Sequence, residues 1–63
     1  MNKFDKVTPT WIRDQLSVHN LRQDDLAAGV NTVPPRVSEW LSGARKPSRA
    51  AKAAIWYFFK NLT

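Results

Sequence analysis

Residues 21–47 read LRQDDLAAGVNTVPPRVSEWLSGARKP, and their punctuation divides them into two short helices. The first helix is expected over 23–29. Asp24 and Asp25 fall in its first turn, where the helix dipole favours negative charge. Leu26, Ala27 and Val30 form its inward face. Asn31 follows, the residue that best replaces glycine where the backbone needs a positive φ. The second helix is expected over 35–42, bounded by Pro34-Pro35 in front and Gly43 behind. Val37, Trp40 and Leu41 stand at i, i+3 and i+4 and make its apolar stripe. Pro35, Glu39 and Ser42 lie opposite that stripe, with Arg36 and Ser38 on its flanks.

A helix is expected on each side of this pair. Thr8-Pro9 combines a capping hydroxyl with proline at the first helical position, which starts a helix over 9–19. Ile12, Leu16 and His19 share its inner face, and Asn20 suits a left-handed end. His19 reads as a half-buried structural residue rather than a functional one. Ser48 can cap a last helix over 49–62. Ala51, Ile55, Phe58 and Leu62 repeat there at helical spacing as a core stripe, with Phe59 beside it. The four consecutive aromatics Trp56–Phe59 span too wide an arc to face one small core. Trp56 and Tyr57 therefore read as an exposed patch awaiting a partner. No alternating β-branched run suggests a strand, so the fold class is all-α, one domain over 1–63 of four or at most five helices.

Composition sets the outer bounds. The chain has 63 residues, no cysteine and a single histidine, which removes disulfides and thiolate or histidine-cluster metal sites from consideration. Hydrophobic residues at 43% supply a core that a disordered tail lacks. No apolar run approaches the ~20 residues of a membrane span, and MNKFDKVTPT has no signal-peptide core. The absence of cysteine agrees with a cytoplasmic location. No paired carboxylates, nucleophile–base set or phosphate loop is present, so neither an enzyme nor a cofactor is expected. The charge is the more telling quantity. Residues 1–35 balance four basic against four acidic side chains, whereas 36–63 hold six basic residues against Glu39 alone. The whole net charge of +5 therefore sits in the C-terminal part, which suggests a polyanionic partner, nucleic acid or an anionic membrane surface, against a basic surface kept for solubility.

The 21–47 segment resembles the helix-turn-helix of the Cro/CI-type phage repressors, the lambda-repressor-like family. Gln23 opens the first motif helix, Ala27 stands at the close approach of the two helices, and Asn31 replaces the usual turn glycine. Val30, Val37 and Trp40 supply the interhelical core, and Trp40 to Pro47 fits the family's W-L-S-G-x-x-x-P ending. There are departures. Arg22 replaces the usual capping Ser, Thr or Asn. Prolines occupy the start of the second motif helix, where base-contacting polar residues are common. Only one helix follows the motif.

The resemblance implies a sequence-specific regulator of double-stranded DNA, a small phage or prophage repressor, with its motif over about 23–42. The second motif helix would enter the major groove. Arg36 is then the main base reader, its planar fork matching guanine O6 and N7, with Ser38 and Glu39 beside it and Pro35 able to meet a thymine methyl. Glu39 either accepts from a cytosine amine or orients Arg36. Gln23, Arg22, Arg45, Lys46 and Arg49 are the expected backbone contacts. Family analogues bind two-fold sites as dimers. A homodimer through Trp56, Tyr57 and Lys60, weak without DNA, is the expectation, against a monomer whose core uses every ring. No small-molecule ligand and no membrane are expected. Two other classes stay open: a protein-binding module (antitoxin or adaptor) using the aromatic last helix, and binding to anionic lipid through it.

Overall fold

The computed structural model describes residues 3–62. A 3-10 turn, Lys3–Lys6, is followed by α1 (Pro9–Val18), α2 (Gln23–Gly29), α3 (Pro34–Ser42) and α4 (Arg49–Lys60). No strand occurs among the described residues. Local chemistry explains each boundary. Thr8 Oγ1 accepts from the Trp11 N–H at 3.2 Å and Ser48 Oγ from the Ala51 N–H at 3.1 Å, each satisfying a donor the helix start leaves free. The Arg22 side chain has no acceptor and caps nothing. The Asp25 carboxylate instead reaches back to the Arg22 N–H at 2.9 Å, which is half of a capping box.

Both α1 and α2 end in the same way, each on an asparagine in the left-handed region. Asn20 has φ 55° and Asn31 φ 58°. Beyond them Leu21 N–H donates to Leu16 C=O and Thr32 N–H to Ala27 C=O, both at 2.8 Å. These are Schellman closures with asparagine in glycine's place. Gly43, at φ 84°, ends α3. The loop then winds back, with Ser42 Oγ and the Arg45 N–H both donating to the Glu39 carbonyl.

The core is built from Val7, Ile12, Leu16, Leu26, Ala27, Val37, Trp40, Leu41, Ile55 and Phe59. Every helix contributes, and no polar residue is buried among the described residues. The α2 and α3 pair packs through Leu26, Ala27, Val37 and Trp40, the stripe that the sequence spacing predicts. Arg13 ties α1 to this pair, donating from Nη2 to the Leu41 carbonyl at 3.0 Å near the end of α3.

Two expectations about the last helix need correction. The core stripe is Ile55–Phe59, not Ile55–Phe58–Leu62. Phe59 is 1% exposed, while Leu62 lies past the helix end and is 45% exposed. Phe58 sits on the flank, over Gly29 of α2. The second correction concerns Trp56 and Tyr57. The 3-10 turn, a stretch without a marked helical pattern, lays Phe4 edge-on against both rings, with centroids at 6.0 and 5.8 Å. Lys3 Nζ stands over Trp56 at 4.6 Å. The chain itself half-buries Trp56, so no outside surface is required for it. Tyr57 alone of the four aromatics remains open, at 47%.

Gly29 carries a sharp consequence. A Cβ at this position would overlap the Phe58 ring. Ala is a better helix former than Gly by about 1 kcal/mol, but displacing a packed ring costs about 1–3 kcal/mol. Gly29→Ala is expected to destabilise the fold by up to about 2 kcal/mol in urea unfolding. The same change in a Phe58→Ala background is expected to be neutral or stabilising, since the overlap is gone.

Candidate nucleic-acid interface

The outward side of α3 and the loop behind it hold most of the residues proposed for DNA. Pro34 and Pro35 occupy the first two helical positions and are exposed. Neither has an N–H, and the Arg36 N–H is bound to the Val33 carbonyl at 3.0 Å. The start of α3 therefore lacks most of the free donors by which helix ends usually hold phosphate. It presents apolar rings instead. Arg36 and Ser38 follow on the exposed surface, while Val37, Trp40 and Leu41 point into the core and fix the helix's rotation.

Glu39 is the hub of this surface. Its Oε1 accepts from Arg45 Nε at 3.0 Å and lies 3.6 Å from Arg36 Nε. All three side chains are about half exposed, so the pairs contribute little to stability, at most about 1 kcal/mol. Their effect is on geometry. One carboxylate draws a guanidinium from α3 and one from the following loop to the same point, and each keeps N–H donors in reserve. Of the two roles open for Glu39, the geometry is that of an orienting group. The arrangement also leaves Arg45 against α3 rather than extended into solvent. In the sequence Arg45 reads as an independent contact, because a partner six residues away across a glycine turn leaves no periodic signal.

The other expected backbone contacts lie on the following loop, α4 and α2. Lys46 and Arg49 are exposed, on the loop and in the first turn of α4. Arg22 and Gln23 are exposed at the start of α2. They line an open groove together with Arg13, Leu16, Leu21, Asp24 and Leu41. The groove brings Arg13 beside the pair named from the sequence. Its i+28 contact to Leu41 is invisible to pattern reading. Trp56, by contrast, packs against Lys3 and Phe4 of the 3-10 turn, and Lys60 Nζ lies 5.5 Å from the centre of its ring.

No family model, no curated protein and no solved structure matches this chain. The case for function therefore stands on the residues themselves. Among the described residues there is no group of His, Cys, Asp or Glu able to hold a metal ion. No helix among them is long and apolar enough to cross a membrane. His19, the single histidine, is half-buried and stacks on Phe59 with centroids 5.9 Å apart and rings 17° from parallel.

Proposed function

We propose that this chain is a sequence-specific double-stranded DNA-binding protein of the lambda-repressor-like kind, acting as a small transcriptional repressor. In this reading α2, the Asn31 turn and α3 form the helix-turn-helix, and α3 lies in the major groove. The observation that carries it is the exposed α3 surface. A short helix is held by three inward apolar residues, and its open side offers prolines, Ser38 and the Arg36–Glu39–Arg45 cluster within a strongly basic half of the chain.

Arg36 reads a guanine when its fork leaves Glu39 for the base edge. Lys46, Arg49, Arg45 and Arg22 supply the phosphate contacts that set affinity and register, with Gln23 donating beside them. The proline start restricts hydrogen-bonded readout to a short part of α3, so thymine methyl contact and DNA shape carry the remaining preference. So few readers per chain cover only a few base pairs. Two chains on an inverted repeat, about 34 Å apart, restore adequate specificity. Pairing would use the open side of α4 around Tyr57 and would form chiefly on DNA. Occupation of the site would itself block access to the promoter.

The test is selection of bound duplexes from a random pool, followed by gel shift and mass measurement of the complex. An enriched inverted repeat bound by two chains supports the proposal. Absence of any enriched duplex overturns it. On the selected site, Arg36→Ala is expected to cost about 1–3 kcal/mol and to flatten preference at one position per half-site. Lys46→Ala is expected to weaken all sequences alike. Equal effects of both changes on every sequence would displace α3 as the reading helix.

A further inference from the structure

A second surface lies away from α2 and α3. Lys6, Trp11, Gln15, Trp56, Phe59 and Lys60 line a cleft between the N-terminal turn, α1 and α4. Its floor is aromatic, with Trp11 edge-on to the buried Phe59 at 5.7 Å. Its rim is cationic. Lys3 Nζ lies 4.6 Å and Lys60 Nζ 5.5 Å from the Trp56 ring centre. Lys3 and Lys6 make no ion pair with any described residue. Gln15, half-buried in the wall, uses its side-chain amide in no hydrogen bond among the described residues.

We propose that this cleft docks a peptide segment of a partner protein in which an apolar side chain is flanked by acidic residues. Each part of the site selects one part of that ligand. The Trp11 indole takes the apolar side chain, and the Lys6 ammonium on the rim meets the flanking carboxylates. The Gln15 amide, donor and acceptor at once, matches the N–H and C=O of a peptide group. A second copy of this chain is a poor occupant, because two-fold pairing would set Lys3, Lys6 and Lys60 against their own images. A nucleobase is also a poor one, because two ammoniums already stand over the Trp56 ring on which it would stack. The inference does not depend on the DNA reading, since none of the lining residues belongs to α2 or α3.

The experiment is an NMR titration of the full ¹⁵N-labelled chain. The probes are short synthetic peptides carrying Leu, Met, Phe or Trp between Asp and Glu residues. The same peptides with Asn and Gln in place of the acids, and oligothymidylate, are the contrasting arms. At least one acidic peptide is expected to shift the indole N–H signals of Trp11 and Trp56 and the Gln15 side-chain amide. The buried Trp40 indole should stay in place as an internal reference. Lys6→Gln is expected to weaken that binding by about fivefold or more. Gln15→Ala, which leaves the charge intact, should also weaken it. The proposal is overturned if no acidic peptide moves these signals, or if the amide peptides bind as well. It is equally overturned if shifts map to Arg36 and Lys46 instead, or if oligothymidylate moves the cleft signals more strongly than any peptide.

Discussion

Raising the salt from about 50 to about 200 mM is expected to weaken binding to the selected duplex by about 10⁴-fold. Counterion release is the reason. Each phosphate neutralised by a fixed cation frees part of the condensed ion atmosphere, giving a log–log slope near −0.9 per contact. Arg22, Arg45, Lys46 and Arg49 are exposed and border the proposed groove contact, which makes about eight contacts for two chains and a slope of about −7. Gln23 adds a hydrogen bond and no slope. Glu39 gives the measurement a finer use. If Arg45 stays with the carboxylate at 3.0 Å, it releases no counterion, and the slope drops toward about −5. Glu39→Gln should then restore it. A slope near zero on the best site would remove the electrostatic footprint from which the DNA reading starts.

What could be read from the sequence, and what could not, follows the range of the forces involved. Helix starts and the left-handed ends are legible because caps are decided within four residues, whereas the last helix, expected to run to residue 62, stops at Lys60, where no glycine or left-handed asparagine marks the end. Thr8, Ser48, Asn20, Asn31 and Gly43 all act locally, and all five occupy the conformations their chemistry favours. The α2–α3 stripe came through for the same reason. The rotation of α4 did not. Phe58 and Phe59 stand three and four residues from Ile55, and helical spacing admits either. The choice is made by what lies opposite: Gly29 leaves room for the Phe58 ring, and Trp11 with His19 encloses Phe59. The N-terminal turn was equally hidden, since Lys3–Lys6 carries no periodic pattern and is held by a distant aromatic pair. At the candidate site, the types of residue were legible and their coupling was not. Arg36, Glu39 and Arg45 are each singled out by the sequence as expected DNA contacts, but the carboxylate oxygen they share depends on how Gly43 turns the loop back.

The corrected axis of α4 predicts which aromatic holds the fold. Phe59→Ala is expected to cost about 3–5 kcal/mol, whereas a chain of this size has only about 3–9 kcal/mol in total. The variant should be largely unfolded at 25 °C or melt at least about 12 °C lower by circular dichroism. The size of the loss comes from the position. Phe59 is fully buried, meets Trp11 edge-on at 5.7 Å, and lies under His19, so its removal opens a cavity where α1 and α4 join. Neighbouring side chains cannot close that cavity cheaply, because Ile12 and Ile55 are themselves fully packed. Leu62→Ala provides the contrast. On the stripe read from spacing alone it would be a core truncation; beyond the end of α4 and largely solvated, it should change stability by less than about 0.5 kcal/mol. Tyr57→Ala loses the edge contacts to Phe4 and Trp56, a cost of about 1 kcal/mol, and should still leave a folded chain on which pairing can be measured. A large loss at Leu62 with a small one at Phe59 would rotate α4 back to the sequence-derived face, and with it the wall of the Trp11–Trp56 cleft.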